Sequence, residues 1–247
     1  MSTVWYPGPR YLLRKHCLLR LLRGMTPGHV LEVGCAQGDI LRTLAERGFT
    51  GLGVDLSADA IRLARHTLAG FEDQVHVALA GAEAHTGPYD YVMAFEVLEH
   101  IRDDRGALEA WRSMLRPGGR LVLSVPAHRR LWGPTDVNVG HYRRYERQGL
   151  IRLLERTGFK AERLLCYGFP VANLSQAIAN GLARGQAHPD RDEPPETRSA
   201  QSGVGWDTLA PYQWLYRNGL LAVCQRLQLL FVDTDWGNGY ILRARVA

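Results

Sequence analysis

Short apolar runs alternate with amphipathic segments along most of this chain. Strand-like runs with glycine, proline or aspartate near their ends fall at 30–33, 51–54, 74–80, 89–95, 120–125, 161–167 and 240–246. Apolar residues at the helical repeat predict helices at 10–25, 39–47, 57–69 with Ser57 as N-cap, 104–115 and 147–157. Strands that alternate with helices of this length predict a parallel sheet with helices on both faces.

The pattern changes in the second half of the chain. Residues 126–145 are predicted to form a long polar and aromatic loop. Residues 186–205 carry several prolines and few large apolar residues, which predicts a mobile loop that cannot order itself. A helix at 209–231 is predicted to follow it. These helical pieces and the loop, inserted before the last strand, predict a lid over the carboxyl edge of the sheet.

Composition places the chain among globular proteins. Apolar residues make up 46% and charged residues 22%, which is enough for a packed core. The net charge of +5 suggests an anionic partner, but 28 of the 30 basic residues are arginines scattered along the whole chain. Docking of the basic first helix on a membrane surface, through Arg14, Arg20 and Arg23, stays open as an alternative.

The cysteines and apolar stretches bear on location. Four widely separated cysteines form no CxxC pair, so neither a disulfide framework nor a zinc site is indicated. The chain opens without a basic stretch followed by an apolar run, and its longest apolar stretch, 219–232, is too short and polar to span a bilayer. A cytoplasmic protein is predicted.

A glycine-rich turn and an acidic residue suggest a nucleoside ligand. Gly34, Ala36 and Gly38 follow the first strand, where small residues let a ligand approach the backbone and a helix N-terminus offers unpaired N–H groups. Asp55 ends the second strand, where a carboxylate can accept both hydroxyls of a ribose. The turn spacing differs from the GxGxxG of dinucleotide enzymes, and a merely structural turn is the alternative.

Four segments in this order resemble the successive motifs of class I S-adenosylmethionine-dependent methyltransferases: EVGCAQG at 32–38, GVDLS at 53–57, FEVLEHI at 95–101 and LRPGGRLVLSVP at 115–126. The resemblance covers 28–168 and implies a Rossmann-like seven-stranded sheet whose last strand is antiparallel. The loop at 136–145 resembles a bacterial subgroup that modifies ubiquinone-type, glycan or natural-product acceptors.

The resemblance also implies a domain organisation. The expected parts are an N-terminal helix at 1–27 contributing to the lid, a cofactor-binding core at 28–169, a lid insertion at 170–235 and a final strand at 236–247.

S-adenosylmethionine is the implied cofactor. The residues expected to surround its methionine part are Glu32, Gly34, Cys35, Ala36, Gly38, Phe95 and Glu96. Glu32 would lie near the amino group, and Phe95 and Glu96 would close the methionine side. Ala36 departs from the family's usual glycine and should crowd the cofactor slightly.

The adenosine part is expected to contact the ends of the second and third strands. Asp55 would hold the ribose and Leu56 would flank the adenine. Gly81 stands where the family commonly has an aspartate that bonds the adenine amino group. Adenine recognition is therefore expected to rest on the backbone N–H of Ala82, with Glu83 nearby.

Methyl transfer is an in-line displacement that often needs a base to remove a proton from the acceptor. The candidate bases are His100, His128 and His141, and Asp136 either orients a histidine or acts as the base itself. Each histidine has a structural alternative: Glu99 and His100 resemble a helix-start pair that occurs in the family regardless of substrate, His128 follows the exit of the fifth strand, and His141 could fasten its loop to the sheet. No clustered carboxylates or histidine pairs suggest a metal.

Arg143 and Arg144, flanked by Tyr142 and Tyr145, are candidates to grip an acceptor carboxylate or phosphate. A solvated or loop-fastening arginine pair is the alternative. Trp132 is expected to line an acceptor pocket with further aromatic residues, although core packing explains such residues equally: Trp206, Tyr212, Trp214 and Tyr216.

The predicted function is methyl transfer to an oxygen or nitrogen of a small-molecule, glycan- or lipid-linked metabolite, with bacterial secondary metabolism as its setting. A non-catalytic cofactor-binding or membrane-docking scaffold is the alternative. Nucleic-acid methylation is less favoured because no RNA-binding module is recognisable, and a dinucleotide oxidoreductase is least favoured. The sequence does not indicate an oligomeric state.

Overall fold

A computed structural model describes residues 8–184 and 219–247 of the chain. Its centre is a seven-stranded sheet with the order β3-β2-β1-β4-β5-β7-β6. The strands are β1 His29–Val33, β2 Thr50–Asp55, β3 Val75–Leu79, β4 Tyr89–Phe95, β5 Leu115–Pro126, β6 Phe159–Tyr167 and β7 Gly239–Val246. The predicted α/β fold class is therefore confirmed.

The strand directions create one crevice. β1 to β5 pair in parallel, and β7 runs antiparallel to both β5 and β6, as predicted for the last strand. The chain builds outward from β1 to β3 on one side and then returns to place β4 on the other side of β1. Ligands of such sheets bind at this switch point, outside the carboxyl ends of the strands.

Helices cover both faces of the sheet. They are α1 Pro9–Leu21, α2 Asp39–Ala45, α3 Ala58–Thr67, α4 Asp104–Ser113, α5 Pro134–Asn138, α6 Arg147–Arg156, α7 Val171–Arg184 and α8 Leu220–Gln228. Alternate residues of β4 serve two cores, because successive strand side chains point to opposite faces. Met93 packs with Leu18 of α1 and Leu44 of α2, whereas Val92 packs with Trp111 of α4 and Leu150 of α6.

Local chemistry explains several element ends. The Ser57 hydroxyl accepts a hydrogen bond from the Ala60 N–H at 3.3 Å, which confirms the predicted N-cap. The predicted bounds of β4 coincide with those observed. β5 begins earlier than predicted, because Leu115 already pairs with Tyr89 ahead of a register shift.

The predicted loop at 126–145 is not wholly irregular, which corrects the sequence-based expectation. It contains a single 3-10 turn at Arg129–Leu131 and the short helix α5. Pro134 supplies the preset φ of a first helical turn, and the Asp136 carboxylate accepts the Gly133 N–H at 2.9 Å. Local caps of this kind stabilise a helix too short to show an apolar repeat.

The N-terminal helix packs on the sheet and on the two helices of the predicted insertion. Leu13, Cys17 and Leu18 are buried. Leu13 contacts Ala172 of α7 and Cys224 of α8. The Gln228 side chain of α8 donates to the Leu13 carbonyl at 3.0 Å, which fastens α8 to α1.

Part of the predicted insertion lies outside the described residues. This applies to the loop at 186–205, to residues 209–218 of the helix predicted at 209–231 and to the aromatic residues Trp206, Tyr212, Trp214 and Tyr216. Within residues 8–184 and 219–247, no helix combines the length and apolarity that a membrane span requires.

Candidate active site

The turn after β1 is shaped by left-handed backbone. Gly34, Ala36 and Gly38 have φ values of +69°, +45° and +76°. A Cβ at Gly34 would lie 2.6 Å from a methyl carbon of Val97, so both the backbone and the packing require glycine there. Ala36 adopts this conformation in spite of its methyl group, which agrees with the predicted departure from glycine.

Asp55 joins this turn to the end of β2. One carboxylate oxygen accepts the Ala36 N–H at 2.9 Å, and the other accepts the Ser57 N–H at 2.9 Å. Each carboxylate oxygen can accept a further hydrogen bond. The carboxylate is thus held at the crevice with capacity left for ribose hydroxyls.

Four N–H groups of the turn 34–38 already donate within the protein. The N–H groups of Gly34 and Cys35 donate to the Val54 carbonyl at 2.8 and 3.0 Å, and that of Gly38 donates to the Cys35 carbonyl at 2.9 Å. The Ala36 N–H goes to Asp55. The small side chains of the turn thus leave room for a ligand. Backbone hydrogen bonding in α2 begins with the Arg42 N–H, which donates to the Gly38 carbonyl, so the unpaired donors predicted for a ligand lie at the helix start.

Cys35 and Glu32 differ in what they offer a cofactor. The Cys35 side chain is buried in a core with Leu41 and Ile61, so only its backbone faces the turn. Glu32 is 2% exposed, and its Oε2 accepts no hydrogen bond from the described residues. Burial raises the pKa of Glu32 well above its ordinary value. A ligand amino group is a suitable partner for this carboxyl.

After the third strand, Gly81 stands in place of the family's usual aspartate, and the side chain of Glu83 occupies the space beside it. The Glu83 carboxylate folds back over Gly81, and a Cβ built at Gly81 would lie 2.1 Å from Glu83 Oε1. Glu83 thus fills the space into which a side chain at position 81 would project. Ala82 is buried beside it, while Leu56, which follows Asp55, is 70% exposed.

A buried ion cluster follows β4. Glu96 Oε2 lies 2.6 Å from Arg10 Nη2, and its Oε1 accepts hydrogen bonds from Ser124 at 2.8 Å and Tyr167 at 3.0 Å. Burial opposes ionisation of Glu96, but the guanidinium groups of Arg10 and Arg14 lower its pKa to about 2. Phe95 is buried just before it. Glu96 is therefore an ionised carboxylate at the crevice.

This cluster also corrects the basic-helix hypothesis. Arg14 was expected to face a membrane with Arg20 and Arg23, yet its side chain is 14% exposed and lies 3.8 Å from Glu96. Lys15 also turns inward, to Asp39 at 2.6 Å. Arg20 and Arg23 are exposed. The helix directs part of its charge into the crevice.

Three further side chains converge beside Glu96. Glu99 and His100 lie in the 3-10 turn Leu98–His100 after β4, and His141 reaches them from the loop after α5. The His100 and His141 rings pack edge to face at 4.7 Å, and His141 Nε2 is 3.8 Å from Glu99 Oε1. The expectation that no such histidine pair exists is wrong, because the pair is 41 positions apart in the chain.

Asp136 orients His141 and does not act alone. One of its oxygens accepts hydrogen bonds from His141 Nδ1 and Arg144 Nε, both at 2.8 Å. Burial opposes ionisation of Asp136, but these hydrogen bonds hold its pKa below the ordinary value. With 1% exposure and these partners, Asp136 fits the predicted orienting role and not that of a free base.

The predicted acceptor residues line one depression of about 620 Å³, although their guanidinium groups are engaged. Arg144 is 2% exposed and also donates to the Ala127 carbonyl, so for Arg144 the loop-fastening alternative holds. Arg143 pairs with Asp104 at 2.6 Å. The predicted members in the lining are Trp132, Tyr142, Arg143, Arg144 and Tyr145.

His128 belongs to a different cluster from the other two histidines. It is 5% exposed, packs edge to face on Tyr240 and lies 3.5 Å from Glu146. Its ring shares a site with Cys166 and Asp235. The structure therefore brings together His100 and His141, but not His128.

Sequence analysis did not identify two residues that contact the candidate site. Arg10 and Tyr167 both bind Glu96, but they lie 86 and 71 positions away from it in the chain. Glu99 was noted only as part of a motif. No local spacing could have connected them, because a helix on one face and a strand from the far side of the sheet supply the contacts.

A switch-point crevice with a glycine turn, an acidic residue after β2 and a buried charged cluster after β4 defines a nucleoside-binding protein of the doubly wound class. Residues 9–164 match the family model described as a methyltransferase domain. Since this match spans more than half of the chain, the chain belongs to that methyltransferase family. The resemblance to class I S-adenosylmethionine-dependent methyltransferases is confirmed, and with it S-adenosylmethionine as the family's cofactor.

Curated relatives share part of the chain. The ubiquinone biosynthesis O-methyltransferase of Pectobacterium atrosepticum is 33% identical over 117 residues, which are 46% of this chain and 48% of the relative. The protein of the same name from Azoarcus sp. is 37% identical over 106 residues, covering 41% and 46%. The chain thus spans about half the length of the curated relatives it matches.

A solved structure supports the fold alone. The [4+2]-cyclase SpnF is 18% identical, with a TM-score of 0.62 over 98% of this chain and 85% of its own. Because this fold also serves a reaction other than methyl transfer, the function must be argued from the site.

Proposed function

We propose that this protein transfers a methyl group from S-adenosylmethionine to an oxygen of a small-molecule, glycan- or lipid-linked metabolite, in the cytoplasm and in bacterial secondary metabolism. The observation that carries the proposal is the hydrogen bond between the Ala36 N–H and Asp55 at the switch point. It places a turn of small residues and a carboxylate with free acceptor capacity on one wall of the crevice. Glu96 and the histidine pair lie after β4, on the other wall.

The residues present fit the cofactor. Asp55 is available to the ribose, Leu56 to one face of the adenine, and the unpaired Glu32 oxygen to the amino group. The Glu83 carboxylate occupies the space of the family's missing aspartate and is available to the adenine amino group. When bound, S-adenosylmethionine supplies an electrophilic methyl carbon.

The acceptor must be positioned in line with that methyl and lose a proton. His100 is suited to accept a hydrogen bond from an acceptor hydroxyl, because burial and the neighbouring His141 lower its pKa to about 4 and keep it neutral. Its Nδ1 has no hydrogen-bond partner among the described residues. An oxygen acceptor is favoured over nitrogen because the curated relatives are named O-methyltransferases.

Calorimetric titration with S-adenosylmethionine, S-adenosylhomocysteine and NADH tests the proposal. We expect binding of the first two only, and a loss of affinity of roughly 10- to 100-fold in Asp55→Ala, which removes hydrogen bonds to a charged acceptor. Asp59→Ala is the matched control, because Asp59 is exposed and pairs only with Arg62. Binding of NADH alone, or equal affinities in the two variants, would contradict the proposal.

An exposed apolar surface on α7 favours the second candidate function, a non-catalytic scaffold that docks on a membrane. Leu174, Ile178 and Leu182 lie on one side of α7 and are 64%, 51% and 67% exposed. A membrane-docking scaffold would bind S-adenosylmethionine but methylate no phenolic, sugar or lipid-linked hydroxyl offered to it. Turnover on any such acceptor would decide for the enzyme.

A further inference from the structure

We propose that Glu99, His100 and His141 form a binding site for one divalent transition-metal cation of the Zn²⁺ type. The three side chains each offer one ligand atom, and these atoms all lie within 4.8 Å of one another. Ion binding itself does not depend on the proposed methyl transfer. The further role given to the ion below, contact with the acceptor oxygen, rests on the proposed methyl transfer.

The first argument is an uncompensated buried carboxyl. Glu99 is 0% exposed, and neither of its carboxylate oxygens accepts a hydrogen bond from any other described residue. Burying a carboxylate is costly unless it is paired or bound to a metal. The cationic side chains that act on Glu99, those of Arg10 and Arg14, are already engaged by Glu96.

The second argument is the orientation of the imidazoles. Asp136 holds His141 through Nδ1 at 2.8 Å, which leaves Nε2 directed towards Glu99 at 3.8 Å. Histidines that bind metals commonly carry a carboxylate on the other ring nitrogen in this way. His100 Nδ1 is unpartnered as well, and with an ion bound it would hold the ion in place of the acceptor hydroxyl. The Tyr142 N–H donates to the Glu99 carbonyl at 2.8 Å and fixes the loop that carries His141.

The ligand set indicates the kind of ion. Two imidazoles and one carboxylate suit Zn²⁺ and related transition metals, whereas Mg²⁺ prefers oxygen ligands throughout. Ligands of one zinc ion lie at most about 4 Å apart, because each bond is about 2 Å long. Small rotations of the three side chains would therefore close the site around an ion.

The position of the site would let the ion contact the methyl acceptor. Three protein ligands leave at least one coordination position open. The site lies in the segment after β4, next to Glu96, where the acceptor is expected to approach the methyl group. A cation there would bind an acceptor hydroxyl oxygen and make its proton more acidic.

The test uses the full chain stripped with a chelator and then titrated with Zn²⁺ or Co²⁺ against a chromogenic chelator. We expect one ion per chain and at least a 10-fold loss of affinity in Glu99→Gln and His141→Gln. Glu109→Gln and His66→Gln are matched controls, because both residues are exposed. Asp136→Asn changes the partner of His141 Nδ1 and also weakens the pair with Arg144, and in folded protein it should weaken ion binding 10- to 100-fold. A hundredfold excess of Mg²⁺ should not displace the ion.

Two outcomes would overturn the site. One is the absence of a stoichiometric ion, or equal affinities in the site and control variants. The other is loss of the ion in Cys166→Ser with retention in Glu99→Gln, because His128, Cys166 and Asp235 form the second possible ligand group among the described residues. A thiolate-to-cobalt charge-transfer band would report that location directly.

Folding and cofactor binding are followed in the same samples. Circular dichroism checks that each variant folds, and calorimetry measures S-adenosylmethionine binding. Binding of S-adenosylmethionine without binding of an ion would contradict the metal site but remain consistent with the proposed function. Binding of an ion without binding of S-adenosylmethionine would support the metal site and contradict the proposed function.

Discussion

The two walls of the crevice are built on different principles. The wall after β1 is a continuous turn, 34–38, four of whose N–H groups bond to nearby backbone and to Asp55. The wall after β4 is a set of buried charges and their partners drawn from α1, the segment after β4, α5 with the loop after it, and β6. The first wall is held by local geometry and the second by long-range electrostatics.

This difference teaches where each wall is vulnerable. A turn of left-handed residues tolerates few side chains, so substitution acts through strain and contact. A buried charge network tolerates few losses, because removal of one partner leaves another charge without compensation. The two walls should therefore respond differently to mutation and to pH.

The largest effect is expected from Asp136→Ala, which would leave Arg144 buried and unpaired. Loss of one partner of a buried ion pair costs about 3–5 kcal/mol, measured here as the free energy of unfolding in denaturant. Asp233→Ala is the control, because the Arg163–Asp233 pair has the same chemistry but is 50% and 66% exposed. The control should cost less than about 1 kcal/mol. Equal losses would mean that burial does not set the strength of the β4 wall.

A smaller effect, and one that depends on pH, is expected at Glu96. Its pKa is lowered from 4.5 to about 2, so the ionised form stabilises the fold by about 3 kcal/mol at neutral pH. This stability is present above pH 4.5 and is lost as the pH falls towards 2. Unfolding of the parent protein and of Glu96→Gln should therefore differ most near pH 7 and converge in acid. A difference that stays constant with pH would contradict the ionic account.

The smallest effect is expected in the turn, from Gly34→Ala. This substitution meets both a positive φ and the Val97 side chain, and should cost about 2–3 kcal/mol without dependence on pH. Gly24→Ala is the control, because Gly24 has φ +75° with nothing within 4 Å of an added Cβ. It should cost about 1 kcal/mol. If the two variants unfold at the same denaturant concentration, contact with Val97 does not constrain the turn.

Elements with a strong local pattern were predictable. β4 and the Ser57 cap follow from a run of apolar residues and from one hydroxyl beside a helix start. α5 was not predictable in this way, because its five residues show no repeat and depend on Pro134 and on the Asp136 cap. The same holds for the candidate site: Gly34 and Asp55 could be assigned roles because their motifs are contiguous in the chain.

The sequence by itself determined the α/β class, the methyltransferase family and the left-handed turn after β1, because strand periodicity, contiguous motifs and backbone conformation are local properties. Only the tertiary structure decided that Arg10 and Tyr167 bind Glu96, that Arg144 is fastened to Asp136, and that Glu99 meets two histidines. Those pairings depend on which surfaces of the sheet and helices meet, and on the cost of leaving a buried charge without a partner.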